Sequence, residues 1–250
     1  MLVLLPPSET KRPGGRRTPL DLDRLALPGL RGVRERVVDA LVALSADPET
    51  ASRVLRLGPT QVDEVAVNAA LATAPTLPAI DRYTGVLFDA LEPGTLPAPE
   101  RRWLGQHVLI HSAPFGPIGA LDPIPAYRLT AGVAVPGLPP LRRLWADAVT
   151  AAIEGESRGF VLDLRSEAYV ALGPVPATRR SAYVRVVAAG PDGEVRALNH
   201  FNKHAKGELV RALAEGRPRI RAVDDLVDWA RGRGITLDGS GPGIVTLRVA

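Results

Sequence analysis

The sequence predicts a mixed α/β protein, folded as one compact domain over residues 1–250 with a central mixed sheet flanked by helices; three observations predict it. Short apolar runs alternate with longer helical stretches, the pattern of strands covered by helices. Hydrophobic residues make up 46% of the chain, enough to bury a substantial core without a metal or disulfide staple. Glycine and proline number 24 each; together they fall below the share expected of a disordered chain, so they punctuate the elements rather than replace them.

In chain order, LVLL at 2–5 reads as a buried strand, and the Pro- and Gly-rich stretch 10–30 as a surface loop. Helical spacing of apolar residues covers 31–45, 60–72, 84–91 and 139–154, with a loop expected at 92–99. Strands are expected at 107–111 (HVLIH) and 159–164 (GFVLDL). Segment 111–132 is too rich in turn formers for a regular element and too apolar for a solvated loop, so it is expected to fold over the core. Segments 182–188 and 194–198, joined by Pro191-Asp192-Gly193, read as a hairpin. Helices at 202–215 and 223–231, a glycine turn at 239–243 and a strand at 244–249 complete the reading. No internal repeat is visible.

Composition excludes whole classes of chemistry. The chain has no cysteine, which removes disulfides, thiolate nucleophiles and cysteine-held zinc or iron–sulfur clusters. A P-loop, an H-E-x-x-H pair, a G-x-S-x-G elbow and a dinucleotide fingerprint are all missing, so a standard hydrolase, kinase or dehydrogenase is not expected, nor is any cofactor. The apolar start runs into Pro6-Pro7 without a basic flank or cleavage site, and no apolar run matches a membrane span. A cytoplasmic location and no membrane partner are the expectations.

The formal net charge is +4 and the pI near 9.8, which suits a nucleic-acid partner. Basic residues concentrate between Lys203 and Arg221, where Lys203, Lys206, Arg211, Arg217, Arg219 and Arg221 outnumber Glu208 and Glu215. Either this is a positive binding face or an ordinary solvated helix. Of the 31 basic residues 28 are arginine, leaving only Lys11, Lys203 and Lys206. A lysine differs as a compact ammonium able to approach a single oxygen or to lose its proton when buried, so the surviving lysines either mark places where that matters or are left by chance.

Polar clusters follow three strand-like runs: Pro6 to Lys11, Ser112 to Gly116, and Arg165-Ser166-Glu167. Ligand sites in open α/β sheets lie beyond the carboxyl ends of strands, and one shared pocket is the economical reading. Asp122, Tyr127 and Arg128 offer a carboxylate, a phenol and a guanidinium; an internal Asp–Arg pair is the alternative. Near Asp81-Arg82-Tyr83-Thr84-Gly85, the aspartate or the threonine is expected to cap a helix. Lys203, Lys206 and Val210 share a helical face, and Gly207 admits a close neighbour. His200 and His204 lack a nearby third ligand, so no metal site is expected.

Taken in order, these segments resemble the YaaA family of peroxide-stress proteins over nearly the whole chain. The resemblance is carried by Pro7-Ser8-Glu9-Thr10-Lys11 after the first strand, Tyr83-Thr84-Gly85, Ser112, Phe115-Gly116, Leu121-Asp122 and Tyr127-Arg128-Leu129. Leu144-Trp145, Leu164 with Ser166 and Tyr169, and Phe201 to Gly207 extend it. Gly119-Ala120, Ala168 and Lys206 depart from the family's usual residues.

The resemblance implies a protein that limits oxidative damage by lowering free intracellular iron and that binds duplex or branched DNA through a positive cleft. It also implies a helix-hairpin-helix-like element, for which 48–70 is the candidate, with Leu57-Gly58-Pro59 as the hairpin. On the DNA reading, Lys11, Arg128, Lys203, Lys206 and Arg211 contact phosphates. The competing reading is an enzyme acting on a small anionic molecule with Lys11, Ser112, Tyr127, Arg128, Ser166 and Lys203 around it.

Overall fold

The computed structural model describes residues 1–16, 18–156, 159–176, 180–189, 195–196, 199–241 and 243–249, with the backbone alone at 188–189, 195–196 and 199–201. The chain opens with β1 (Leu2–Leu5), whose Val3, Leu4 and Leu5 are buried, as befits a strand covered on both faces. Helix α1 (Arg31–Leu44) buries Val37, Val38, Leu41 and Leu44 at helical spacing. Helix α2 (Pro48–Leu55) starts at Asp47, whose carboxylate accepts from the Glu49 and Thr50 amides at 3.1 and 3.2 Å. It stops at Arg56, which takes the left-handed conformation with φ 55°. A 3-10 turn at Pro59–Gln61 leads to α3 (Glu64–Ala69).

Next come β2 (Leu77–Pro78), α4 (Ala79–Arg82), α5 (Val86–Leu91) and α6 (Ala98–His107), then β3 (Val108–Ser112), β4 (Gly116–Gly119) and β5 (Pro123–Ile124). The remaining elements are α7 (Leu141–Glu156), β6 (Val161–Asp163), α8 (Glu167–Val170), β7 (Ser181–Ala189), β8 (Val195–Arg196), α9 (Asn199–Gly216), α10 (Val223–Arg231), β9 (Leu237–Gly241) and β10 (Ile244–Val249).

The main sheet runs β4-β3-β1-β6-β7-β10-β9, with β8 paired to β7. Strands β3, β1, β6, β7 and β10 are mutually parallel, and β4, β8 and β9 are antiparallel to their neighbours. Strand β1 therefore lies between β3 on one side and β6 on the other. The strand order reverses there, and in an open α/β sheet the crevice beyond the strand ends at such a reversal is where loops converge. Strands β2 and β5 form a separate antiparallel pair. Among the described residues, no helix is long and apolar enough to cross a membrane.

Several local expectations are corrected. Residues 98–107 form α6 where a loop was read through 99; Pro99 is accommodated in the first turn, where its missing N–H costs nothing. The expected helix over 60–72 regularises only at Glu64. Segment 111–132 contributes the edge strand β4 and the short β5 while lying over the core. The 239–243 glycines belong largely to β9, which folds back on β10 with a register irregularity at Ile244/Val245. Strands β7 and β8 pair as a hairpin, whose Pro191-Asp192-Gly193 turn lies outside the described residues.

Neither Asp81 nor Thr84 caps α5. Asp89 does so from within the helix by accepting from the Gly85 amide at 3.2 Å, and Asp81 instead pairs with Arg101 at 2.6 Å. Asp122 is not the partner of Arg128: it accepts from the Ala26 and Gly119 amides at 2.7 and 2.8 Å.

Gly207 serves a backbone contact. A Cβ there stands 2.2 Å from the Leu87 carbonyl oxygen, so α9 lies against α5 only because position 207 has no side chain. Gly207→Ala is expected to lower stability by about 1–3 kcal/mol through overpacking. Gly32→Ala, which meets open space on α1, is expected to be neutral or to stabilise by up to about 1 kcal/mol. Urea unfolding midpoints of the two variants check the difference.

Candidate functional site

The loop after β1 turns back so that Lys11 bridges Tyr83 backbone to backbone. Its Nζ donates to the Ser8 and Glu9 carbonyls at 3.0 and 3.2 Å and lies 4.0 Å from the centroid of the Tyr127 ring and 5.6 Å from that of Tyr83. The two phenols are joined, oxygen to oxygen, at 2.8 Å. Ser112, at the end of β3, is fully buried and accepts from the Phe115 amide at 3.0 Å, and its hydroxyl helps to hold the two phenols below the pKa that burial alone would give them. Tyr83 stacks on Phe88, and Tyr127 meets Phe115 edge to face.

Arg128 closes one side. Its guanidinium pairs with Glu64 at 3.3 Å and Glu9 at 3.6 Å. Its backbone is clamped by the buried Asn68 of α3, which donates to the Arg128 carbonyl at 2.8 Å and accepts from its amide at 2.7 Å. A bend at Gly85, φ 96°, brings the start of α5 against Ser8 and Thr10; a Cβ there stands 3.2 Å from both hydroxyls.

These surroundings set the protonation states. Burial pulls the Lys11 ammonium down to about 7; Arg128 pushes the same way, while Glu64 and Glu9 partly oppose. Burial raises the phenols of Tyr83, Tyr127 and Tyr169, so all three stay protonated near neutrality. The cluster thus combines an amine near its midpoint, protonated phenols and a guanidinium, the components of a proton-transfer site for an anion.

The other sequence-derived residues are distributed differently. Lys206 is buried in a second cluster, 5.5 Å from the Tyr183 ring; burial lowers its ammonium to about 8 against the opposing pull of Asp163. Lys203, three residues earlier, is exposed, so the helical face expected to carry both straddles the protein boundary. Arg211 donates to the Leu91 carbonyl at 3.0 Å and the Thr95 hydroxyl at 2.9 Å and pairs with Glu215 at 3.0 Å. Ser166 is exposed at the start of α8 and caps nothing.

From α8 it is Tyr169 that approaches, within electrostatic reach of Tyr127 and Glu9 and 6.0 Å from His111, ring to ring. His204 faces Glu208 at 3.3 Å, and the side chain of His200 lies outside the described residues. Among the described residues, no three His, Asp or Glu side chains gather as a metal site.

Sequence reasoning passed over the buried arginines that support this end of the sheet. Arg82 donates to the carbonyls of Arg12, Gly14, Pro75 and Ile124. Arg34 donates to those of Ala26, Phe115 and Pro117. Arg165 forks onto Asp163 at 2.7 and 2.9 Å and reaches His111 at 2.8 Å. Burial lowers Arg34 and Arg82 only to about 10 each, so both stay charged. A signal existed for Arg34, which sits three and four residues before Val37 and Val38, inside the apolar stripe of α1.

At the opposite end of the sheet, against Met1, Gly159 and Arg180, which precede β1, β6 and β7, opens a cleft of about 540 Å³. Arg217, Arg219 and Arg221, from the segment after α9, line it together with Arg180 and His107; its described lining carries no acidic side chain. Glu100 approaches Arg217 at 3.8 Å. The basic run seen in the sequence is therefore divided by α9, its lysines at one end and three arginines at the other.

The chain matches, over residues 1–236, the profile of a family described as peroxide stress protein YaaA. It is 43% identical over 243 residues to a UPF0246 protein of Corynebacterium efficiens, covering 95% of each chain. It is 42% identical over 248 residues to a UPF0246 protein of Streptomyces coelicolor, covering 97% of this chain and 94% of the relative. A Corynebacterium glutamicum UPF0246 protein is 40% identical over 244 residues, with 95% of each chain covered.

Lys11 and Lys206 make stability depend on pH. From about 7 for Lys11 and about 8 for Lys206 up to the ordinary 10.5, the unfolded chain holds protons the folded chain has released, so stability rises with pH across that window. Urea midpoints are expected to climb between about pH 7 and 10, and the climb is expected to flatten in Lys11→Met/Lys206→Met. His107 and His111, lowered by burial from 6.5, act below that window.

Proposed function

The chain belongs to the peroxide stress protein YaaA family, and from that membership we propose that it serves peroxide-stress defence by binding DNA without sequence preference and helping to limit free intracellular iron. The observation that carries the DNA part is the arginine cleft. Guanidinium forks match phosphate oxygens, and with no acidic side chain in its described lining the cleft attracts a polyanion. Lys11, Arg128, Lys206 and Arg211 are engaged internally, so in this reading Arg219, Arg221 and exposed Lys203 are the phosphate contacts. The helices of 48–70 are a weaker anchor, because Asp63 and Glu64 place carboxylates where a phosphate would approach α3.

A second reading, an enzyme for a small anionic molecule, is favoured by a different observation: the half-buried Lys11 amine beside Tyr83, Tyr127, Ser112 and Arg128. A structural DNA binder has no need of such a cluster.

Binding of a labelled duplex and a four-way junction across a salt series distinguishes the readings. The DNA function predicts affinity falling steeply with salt for any sequence. It also predicts that the slope shrinks by about 2 in Arg219→Ala/Arg221→Ala, since each lost phosphate contact removes about 0.9. No binding at low salt would rule the DNA reading out.

A further inference from the structure

Lys11 is a lysine in a chain that otherwise uses arginine almost everywhere. Its Nζ donates to two backbone carbonyls, and among the described residues no carboxylate lies within ion-pair distance of it. The nearby carboxylates, Glu9 and Glu64, are paired with Arg128. Those pairs are long, at 3.6 and 3.3 Å, compared with the 2.7–2.9 Å typical of charge-assisted bonds. Glu9 is 70% exposed. An incoming anion can therefore displace Glu9 from Arg128 at small cost, which leaves a guanidinium fork beside the amine. The joined phenols of Tyr83 and Tyr127 supply proton-bearing hydroxyls in the same cluster, and the whole sits beyond β1 and β3, where the strand order reverses.

We propose that Lys11 is the reactive amine of a small-molecule site, condensing reversibly with the carbonyl carbon of an aldehyde or 2-oxo acid whose anionic group is held by Arg128. The proposal rests on the small-molecule reading above and gives it a substrate class. The amine nitrogen adds to the carbonyl carbon, a proton passes from nitrogen to oxygen, and the carbinolamine loses that oxygen as water to leave a C=N bond. No oxidant or reductant is required. The fall of the ammonium to about 7 keeps a large share of the amine unprotonated at neutral pH. An arginine at position 11 has no such neutral form.

The test uses the full chain with glyoxylate, an anionic aldehyde, and with propionaldehyde, an uncharged one, each with cyanoborohydride, which reduces the C=N bond to a stable amine. Peptide mass spectrometry then reads the three lysines separately. At about pH 7.5, Lys11 is expected to label at least about tenfold faster than exposed Lys203. The preference for glyoxylate over propionaldehyde at Lys11 is expected to disappear in Arg128→Gln. Faster labelling of Lys203, or equal labelling of Lys11 by both aldehydes in the unaltered protein, would overturn the proposal. If Lys11 stays unlabelled while glyoxylate still raises the melting temperature through Arg128, the amine chemistry falls and the small-molecule reading stands. With neither label nor shift, both fall.

Discussion

Arg82 donates to the carbonyl oxygens of Arg12, Gly14, Pro75 and Ile124 from a position with no solvent exposure. A buried guanidinium costs several kcal/mol unless its N–H groups are satisfied, and charge-assisted hydrogen bonds return about 1.5–3 kcal/mol each. Arg82 meets this condition with backbone oxygens from three separate segments. Two of those segments adjoin a member of the polar cluster, since Arg12 follows Lys11 and Ile124 lies three residues before Tyr127, and Arg82 itself precedes Tyr83. The geometry of the site follows from satisfying this one cation. Arg34 does the same for the loop at Phe115 and Pro117, and Arg165 for the segment between Asp163 and Gly173.

This support explains why so polar a cluster persists in apolar surroundings. Lys11 stands next to two positive side chains, Arg82 and Arg128, both of which disfavour its charged form. Glu9 and Glu64 offset that repulsion only in part, because their charges are shared with Arg128. Aromatic faces take the place of a counter-ion. The result is an amine poised near neutrality at one end of the sheet and an open arginine cleft at the other. The DNA reading, carried by the arginine cleft, and the amine reading thus rest on different residues.

Sequence reasoning was strongest where periodicity is long. The stripe of α1 and the pattern of α10 are visible without tertiary contacts, and the apolar runs at β1, β3 and β6 are continuous because parallel strands are buried on both faces. It failed at α6, where a proline, two adjacent arginines and a glycine hide a helix that buries only Trp103 and Leu104. It also failed at β4 and β9, whose glycines read as turns because an edge strand needs few side chains to hold its place.

Lys11, Ser112, Tyr127 and Arg128 were legible as candidate site residues because each follows a strand-like run or belongs to the loop beyond one. Tyr83 was placed in a motif, but its partnership with Tyr127 was not visible. By itself the sequence determined the fold class, the positions of most long helices and strands, the absence of thiol chemistry and the scarcity of lysine, all of which are properties of composition or local period. The tertiary structure alone decided which cations face inward, that Lys206 is buried while Lys203 is exposed, and that the basic run is split by α9. The reason is physical: burial and pKa depend on which loops meet, and that depends on β1 lying between β3 and β6, a pairing between residues more than a hundred positions apart that no local pattern encodes.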